Sequence, residues 1–403
     1  MKIAIICDVL GEANNGTSLA AYNLIKSLKE KGHEVRVVCP DPLKSGEDGF
    51  YVMPTINFGI FNNYVKHNGV SLAKKDITTL EKACEGVDIV HGMLPFTCSQ
   101  LAAKYCLEHH IPMTSGFHAQ AENITSHFFS MNNELVNKSV YKALWKMYYK
   151  KLDAIHFPTE FIRSLMMDKY HLSGPKPYVI SNGVQTAIFN DKIESKRPTY
   201  LNGAFIIVMS GRLTKEKNQK ILLKAIRKSK YKNYIQIIFA GDGPRKEALL
   251  KYGIKHLSNP PIIRSFKHEE LNKVLRYADL YVHTSIIEIE AISCLEALAC
   301  GLVPVIANSP RSATSKFSLR KESSFNYKSV KDLSEKIDWW IEHPEERKKA
   351  SKEYAEYAKG FDFNLCMDKM EKMFLEVIKN YDPNNNKPWL KKKNEKKLTK
   401  HNC

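Results

Sequence analysis

The chain has 403 residues, with 61 Lys and Arg against 43 Asp and Glu, so its formal net charge at pH 7 is +18. This length predicts about two or three domains, each large enough to bury its own core. With 43% hydrophobic and 26% charged residues, the composition excludes a disordered, a collagenous or a small disulfide-stapled chain. Residues 1–200 hold 22 basic and 19 acidic side chains, whereas residues 201–403 hold 39 and 24, so an anionic partner is expected to meet the second half.

Cysteine usage and the apolar runs predict the compartment. The nine cysteines stand singly, without the two-residue spacing of metal knuckles and redox motifs, and an odd number cannot pair completely. A reducing compartment is therefore expected. The apolar run that begins at Ile3 is too short for a signal peptide, and no stretch reaches the roughly 18 apolar residues of a membrane span. The sequence predicts a cytoplasmic protein that at most lies on a membrane surface.

Strand and helix patterns alternate through the first half of the chain. A buried strand is predicted over residues 2–7, followed by a loop, a helix with apolar positions from Ala20 to Leu28, and a second strand over 34–39. The pattern recurs with predicted strands at 87–91, 112–116 and 154–157, and with a helix at 100–109. Strand, helix and strand in this order require a parallel sheet with right-handed crossovers.

A second series of the same kind begins at a strand over 205–210. Further strands are predicted at 236–240, 280–283 and 303–307, each followed by a helix. The natural interpretation is an α/β protein of two doubly wound units. The predicted parts are an N-terminal domain at 1–185, a C-terminal domain at 186–363, a packed helix at 364–381 and a basic tail at 382–403. The polar stretch 190–202 is predicted to hold the hinge.

Two carboxylates follow the strand that ends at His283. Glu288 lies in the loop after this strand, and Glu296 lies in the next helix, which Gly301 closes. At the C-terminal edge of a parallel sheet, such carboxylates accept hydrogen bonds from two sugar rings of one ligand. The alternative is that both are surface charges on an amphipathic helix.

A basic segment follows the strand at 205–210. Arg212 and Lys217 lie where this strand leads into a helix, and two cations at a helix N-terminus are suited to a diphosphate. Residues 201–250 hold 11 basic and 3 acidic side chains, a charge that a diphosphate site would explain. The glycine-rich turn at 241–243 is either a ligand contact or an ordinary turn.

Two candidate residues stand in the first half. His118 follows a predicted strand and would meet a ligand at the sheet edge, although a structural role is the more common one for a single histidine. Gly16, in the turn Asn15-Gly16-Thr17, would offer backbone N–H groups to a phosphate. This turn lacks the three-glycine dinucleotide fingerprint, which disfavours a nicotinamide enzyme.

Taken in order, these motifs resemble the retaining family 4 glycosyltransferases of the GT-B fold. The resemblance extends to about residue 381 and is closest to members that glucosylate diacylglycerol. The matching segments are the loop at Gly16 and residues 32–35, 118, 182–184, 211–217, 241–243 and 288–301. The resemblance implies two Rossmann-like domains that face each other across a cleft, with the nucleotide-sugar held by the second and the acceptor by the first.

The resemblance also implies roles for single residues. Arg212 and Lys217 would bind the diphosphate, and Glu296 the ribose. Glu288 would bind hydroxyls of the transferred sugar. Gly16 would approach the phosphate, and His118 would touch the sugar at the reaction centre.

Three departures from the family pattern leave the sugar specificity open. Residues 289–291, Ile-Glu-Ala, replace the usual Gly-Phe-Gly. Gln185 stands for the usual Asp, and Ser309 and Pro310 replace two glycines.

The implied chemistry needs no metal and no cofactor beyond the UDP-sugar donor substrate. No Asp-x-Asp motif occurs in the chain, so a metal-bridged diphosphate is not supported. The hypothesis is a retaining hexosyl transfer in which the departing phosphate oxygen helps to deprotonate the acceptor hydroxyl. Cations of the site would stabilise the leaving diphosphate, and domain closure would exclude water.

Charge patterning predicts the acceptor. The helix at 137–152 places Lys138, Lys142 and Lys146 four residues apart, and the tail from 387 onward holds seven Lys, one Glu and Trp389. Both segments suit an anionic membrane surface, so we expect a lipid acceptor and a peripheral location on the inner face of the cell membrane. The resemblance implies that this lipid is one such as diacylglycerol. For the helix, the alternative is a packed element with a solvated lysine face.

Three rival functions stay open. A glycosyltransferase of the same fold could extend a polysaccharide or a lipid-linked oligosaccharide, and a nucleotide-sugar epimerase would need no acceptor. A basic nucleic-acid-binding protein is the alternative of another class. No nucleic acid is expected as a partner, because the lysine run lacks interleaved aromatics beyond Trp389.

Overall fold

The computed structural model describes residues 1–8, 10, 16–56, 59, 73–126, 133–384 and 387. They form two compact units. The first consists of Met1–Ser181 with the described residues from Met367 onward, and the second is Asn182–Cys366. Both are α/β, which confirms the predicted class. No described helix is long and apolar enough to cross a membrane.

The first unit is a parallel sheet of seven strands with helices in the connections. Its strands run in the order β3-β2-β1-β4-β5-β6-β7. The elements are β1 Lys2–Ile6, α1 Gly16–Glu30, β2 Glu34–Cys39, β3 Phe50–Val52, α2 Ile77–Cys84, β4 Ile89–Gly92, α3 Thr97–Glu108, β5 Met113–Gly116, α4 Ala121–Ser126, α5 Glu134–Met147, β6 Ala154–Phe157, α6 Glu160–Ser164 and β7 Lys176–Val179.

Burial explains why these segments take up this fold. Ile3, Ile5 and Ile6 of β1 are fully buried, as expected for a central strand covered on both faces. Gly32 ends the turn after α1 with φ of +80°, a conformation that glycine adopts at little cost.

The second unit is a parallel sheet of six strands in the order β10-β9-β8-β11-β12-β13. Its elements are β8 Phe205–Ser210, α7 Gln219–Lys228, β9 Ile235–Ala240, α8 Lys246–His256, β10 Ile262–Arg264, α9 His268–Tyr277, β11 Leu280–His283, α10 Ile292–Ala299, β12 Pro304–Ala307, β13 Ser324–Phe325, α11 Val330–Glu342 and α12 Pro344–Ala358. A last helix, α13 Phe363–Lys379, begins in this unit and continues in the first.

The stretch 190–202, predicted to hold the hinge, lies inside the second unit. Leu201 at its end is buried in the core of that unit. Arg197 donates to Asp279 Oδ2 at 2.8 Å, and Arg276 Nε donates to the carbonyl of Ile193 at 2.9 Å. Polar composition alone suggested a linker, but these contacts hold the stretch against the second sheet.

Helix α5 contains the segment predicted as a basic membrane helix. Tyr141, Leu144 and Trp145 are buried, so the apolar side of the helix packs within the first unit. Lys142 and Lys146 are exposed. This arrangement matches the alternative of a packed helix with a solvated lysine face. The predicted tail anchor, Trp389, lies outside the described residues.

Candidate active site

Four loops follow the carboxyl ends of the central strands in the second sheet. They are residues 211–218 after β8, 241–245 after β9, 284–291 after β11 and 308–312 after β12. Because all strands pair in parallel, these loops lie at one edge of the sheet. This edge is where ligands of open α/β sheets bind.

The glycine-rich turn supports the loop that carries the two cations. The N–H of Leu213 donates to the carbonyl of Asp242 at 2.8 Å. A Cβ at Gly241 would lie 2.2 Å from the carbonyl oxygen of Gly211, and one at Gly243 would lie 2.6 Å from that of Leu213. The two glycines therefore allow this close packing of loops, which gives the turn a structural role.

Lys217 and Glu288 form an ion pair at the centre of this edge. Their side chains are only 18% and 11% exposed, so water screens the pair weakly. Burial alone would raise the pKa of Glu288, but the charges and hydrogen bonds of Lys217 and His283 outweigh burial and lower this pKa to about 2. Glu288 is therefore ionised at neutral pH.

A buried polar chain stands behind Glu288. His283 Nε2 lies 3.3 Å from Glu288 Oε1, and His283 Nδ1 lies 3.4 Å from the hydroxyl of Tyr281. That hydroxyl is 3.2 Å from Ser210 Oγ. Burial lowers the pKa of His283, although Glu288 opposes the shift, so the ring is neutral at neutral pH. In the sequence, the only sign that His283 lies beside Glu288 was its position at the end of an apolar strand.

The loop after β12 fixes the backbone around Glu288. The N–H of Glu288 donates to the carbonyl of Arg311 at 3.3 Å, and the N–H of Ala313 donates to the carbonyl of Glu288 at 2.9 Å. Ser309 Oγ donates to the carbonyl of Ile286 at 2.6 Å. Ser309, one of the departures from the family pattern, thus holds the loop that presents Glu288.

Glu290 is a second buried carboxylate of this loop, and it is 4% exposed. Both of its oxygens accept from the backbone N–H of Asn182 at 3.2 Å, and Oε2 also accepts from the Asn182 side chain at 2.6 Å. These bonds tie Glu290 to the start of the second unit.

Ala291 precedes α10 with φ of +66° and ψ of +72°, in the left-handed region that favours glycine. Ala291→Gly is expected to raise the free energy of unfolding by about 1 kcal/mol, because it removes the Cβ strain. Chemical denaturation measures this change. The matched control is Ala297→Gly within the same helix, which should lower stability by at least about 1 kcal/mol. Equal destabilisation by both variants would contradict the assigned strain.

Glu296 lies on α10 and is 7% exposed. Burial raises the pKa of this carboxyl to about 8, and among the described residues no charged neighbour offsets the effect. The two predicted carboxylates of the site therefore differ in protonation at neutral pH, since Glu288 is ionised and Glu296 is largely neutral.

Arg212 stands in the same loop as Lys217. Its carbonyl accepts from Gln219 Nε2 at 2.9 Å, which ties the loop to the start of α7. The N-cap of α7, Asn218, has φ of +52° and makes no side-chain cap hydrogen bond. The N–H of Ile221 donates to the carbonyl of Asn218 at 3.0 Å, and the Asn218 side chain caps neither of the first two N–H groups at the N-terminus, where helices bind phosphate.

His118 and Gly16 belong to the first unit, whereas the other four candidate residues belong to the second. Gly16 is the exposed first residue of α1, and a Cβ there would meet no atom within 4 Å. The preceding residues 11–15, which include Asn15 of the predicted phosphate turn, lie outside the described residues. Gly16 therefore needs no special backbone conformation within the described part.

His118 follows β5 beside a second buried histidine, His156. Their rings lie 5.6 Å apart at 72°, and within the described part of the chain His118 Nε2 is buried without a hydrogen-bond partner. Burial, and then the proximity of His156, lower the pKa of His118 to about 3. His156 Nε2 donates to the carbonyl of Ile180 at 2.6 Å, which fixes the tautomer of its neutral ring.

Comparisons with known proteins cover most of the chain. Residues 14–188 match the family model described as Glycosyltransferase Family 4, and residues 191–357 match the one described as Glycosyl transferases group 1. The alpha-monoglucosyldiacylglycerol synthase of Acholeplasma laidlawii is 25% identical over 332 residues, which cover 76% of this chain and 80% of that relative.

Two further proteins are similar to this one over three quarters of the chain or more. The phosphatidylinositol N-acetylglucosaminyltransferase GPI3 subunit of Saccharomyces cerevisiae is 23% identical over 75% of this chain and 67% of its own. The crystal structure of Anabaena HepE in complex with UDP aligns with a TM-score of 0.70 at 13% identity, over 93% of this chain and 100% of that one. This structural likeness confirms the predicted fold of two Rossmann-like domains.

Proposed function

The chain belongs to the family 4 glycosyltransferases of the GT-B fold, and from that premise we propose that it moves a hexose, glucose in the first instance, from a UDP-sugar to a membrane lipid such as diacylglycerol. The main support for a UDP-sugar donor is the buried Lys217–Glu288 pair at the sheet edge. HepE, a protein of the same fold, was solved with UDP. The lipid acceptor rests on the name of the Acholeplasma relative and on the basic surface of this chain.

In the proposed reaction, the cations bind the donor diphosphate. Lys217 and Arg212 neutralise the charge that grows on the leaving UDP, and the N-terminus of α7 adds its own N–H groups. Because these groups are held by backbone bonds to neighbouring loops, they need little reorganisation in the transition state.

The two carboxylates are proposed to bind the two sugar rings of the donor. Ionised Glu288 accepts hydrogen bonds from hydroxyls of the transferred hexose, while Glu296 accepts from the ribose. We further propose, from the family resemblance, that the neutral ring of His118 makes polar contacts with the hexose. From the same resemblance, Gly16 is proposed to approach the phosphate.

The transfer itself is proposed to be retaining and independent of metal. The bond between the anomeric carbon and the diphosphate oxygen breaks, and the acceptor hydroxyl oxygen bonds to the same face of that carbon. The departing phosphate oxygen takes the hydroxyl proton, so UDP leaves protonated and the charges balance. The enzyme is proposed to work at the inner face of the cell membrane, as a peripheral protein.

A donor panel tests the proposal. The protein is incubated with UDP- and GDP-sugars and extracted lipids, and mass spectrometry of the organic phase should find a hexose added to lipid only with a UDP-sugar. The anomeric configuration in the product should match that of the donor, and EDTA should leave the rate unchanged. A product found only in the aqueous phase would overturn the lipid acceptor.

The pH dependence of donor binding tests the role of Glu296. The ionised carboxylate is the better acceptor for two ribose hydroxyls, so KM for the donor should fall about tenfold per pH unit as the pH rises towards 8, and then level off. Glu296→Gln should show a higher KM without this slope. A parallel slope in both proteins would exclude Glu296 as its origin.

The same raised pKa affects stability with a defined sign. The unfolded carboxyl ionises near pH 4.5, whereas the folded one stays protonated to about pH 8. Stability contributed by the protonated form is therefore fully present below pH 4.5 and is lost as the pH rises through 8, by up to about 1.4 kcal/mol per pH unit. In Glu296→Gln, this part of the decline in unfolding free energy should disappear.

A further inference from the structure

Helix α7 carries only positive charge on its outward side. Ile221, Leu222 and Ile226 are buried on the opposite side, against the second sheet. The outward positions are all exposed, contain no acid, and recur at the spacing of one helical stripe: Lys220, Lys224, Arg227 and Lys228. Four of the 11 basic residues in 201–250 therefore lie on this surface and not in the loops at the sheet edge.

Helix α8 lies beside α7 and extends the same surface. Lys220 Nζ is 5.4 Å from the ring centre of Tyr252 on α8, and Lys251 and Lys255 are exposed. Partial burial and the charges of Arg227, Lys255 and Lys220 lower the pKa of His256, which shows that cations of the two helices lie close together. We call the six cations of this surface the basic face: Lys220, Lys224, Arg227, Lys228, Lys251 and Lys255.

The six cations of the basic face outnumber the acids on the two helices that carry them. None of the six forms an ion pair with an Asp or Glu among the described residues, although Lys230–Glu342 and Lys246–Asp242 do so at its borders. The two helices contain one acid, Glu247, in the first turn of α8. Like charges at this density repel one another, so the surface costs stability unless an anionic partner offsets it.

The geometry suits an extended anionic surface better than a single anion. Lys220 and Lys228 are separated by about 12 Å along α7, which is too far for one phosphate to bridge. Ile254 is 63% exposed between Lys251 and Lys255, so an apolar side chain stands among the cations. Lysine and arginine around an exposed aliphatic side chain suit a headgroup layer, where the cations meet lipid phosphates and the apolar group reaches the acyl boundary.

We propose that the basic face of α7 and α8 is a contact surface for bilayers that contain anionic phospholipid. This inference rests on the proposed lipid acceptor, and it assigns the membrane contact to the unit that carries the donor residues. It differs from the earlier expectation, which placed the contact on the helix at 137–152 and on the tail.

Vesicle binding by the full-length protein tests the proposal without donor or acceptor turnover. The protein is sedimented with phosphatidylcholine vesicles, with and without phosphatidylglycerol, at low and at physiological salt. The test variant combines Lys224→Glu, Arg227→Glu, Lys251→Glu and Lys255→Glu. The control variant changes the net charge equally on exposed lysines of the same unit, through Lys328→Glu, Lys348→Glu, Lys349→Glu and Lys352→Glu.

The test variant should bind phosphatidylglycerol vesicles at least about tenfold more weakly than the parent, and the control should stay within about twofold. Ile254→Ser should weaken binding without changing its salt dependence. Equal loss in both charge variants, or none in the test variant, would overturn the proposal. The proposal would also be overturned if the parent bound a DNA duplex but not vesicles, and if the test variant lost that DNA binding. Calorimetric titration with UDP keeps the outcomes separate, because a parent that binds vesicles but not UDP would refute the proposed function alone.

Discussion

Replacing Lys217 with Met is expected to lower kcat for hexose transfer by about 100-fold to 1000-fold, since a fixed cation at the leaving diphosphate acts mainly in the transition state. The same change leaves Glu288 buried without its partner. Loss of one member of a buried pair costs about 3 kcal/mol or more, so the variant should also unfold more easily. Initial rates at saturating donor and denaturant unfolding measure the two effects.

A double variant separates catalysis from stability. In Lys217→Met with Glu288→Gln, no buried charge stays unpaired, so the free energy of unfolding should recover while the transfer rate does not. The matched control is Lys230→Met at the exposed Lys230–Glu342 pair, which should change either quantity little. If activity returned together with stability in the double variant, the two residues would have a structural role only.

Gly116→Ala should reduce the transfer rate by about 10-fold to 100-fold, although position 116 would itself touch no substrate. A Cβ there would lie 2.1 Å from His118 Nε2 and 2.4 Å from its Cδ2, so the imidazole must move. Because the backbone of Gly116 is not in the left-handed region, the added methyl group acts through the displaced ring and not through strain.

The control for this prediction is a double variant. His118→Ala removes the ring that the new methyl group would strike, so adding Gly116→Ala to it should cause no further loss of rate. Gly360→Ala, at a position with no atom within 4 Å of a Cβ, should leave the rate unchanged. A further loss in the double variant would show that Gly116 acts independently of His118.

Periodicity predicted the strands well because parallel strands are nearly continuous apolar runs. Four of them, Glu34–Cys39, Ala154–Phe157, Phe205–Ser210 and Leu280–His283, have the predicted bounds. The polar stretch at 190–202, predicted to hold the hinge, lies inside the second unit. Its hydrogen bonds to Asp279 and Arg276 come from residues distant in sequence, which no local pattern can indicate.

The charged residues of the site could be predicted from the sequence, but the residues that hold them in place could not. Lys217 and Glu288 were predicted separately, and the structure pairs them. His283 was seen only as a strand end, since its proximity to Glu288 depends on how the loop folds back over the strand. The left-handed conformation of Ala291 also depends on tertiary packing, because alanine has no intrinsic preference for it.

The ion pair between Lys217 and Glu288 has a consequence for selectivity among cellular anions. Before a donor arrives, the main cation of the edge already has a counter-ion, so the local charge is close to balanced. A small inorganic anion gains little by competing with a fixed carboxylate for one ammonium group. In the proposed donor complex, a nucleotide-sugar would supply hydroxyl donors to Glu288 while its diphosphate bound Lys217, so both partners would be satisfied at once. In the proposed donor site, the pair would thus discriminate by requiring two complementary groups in one molecule, and phosphate would satisfy only one of them.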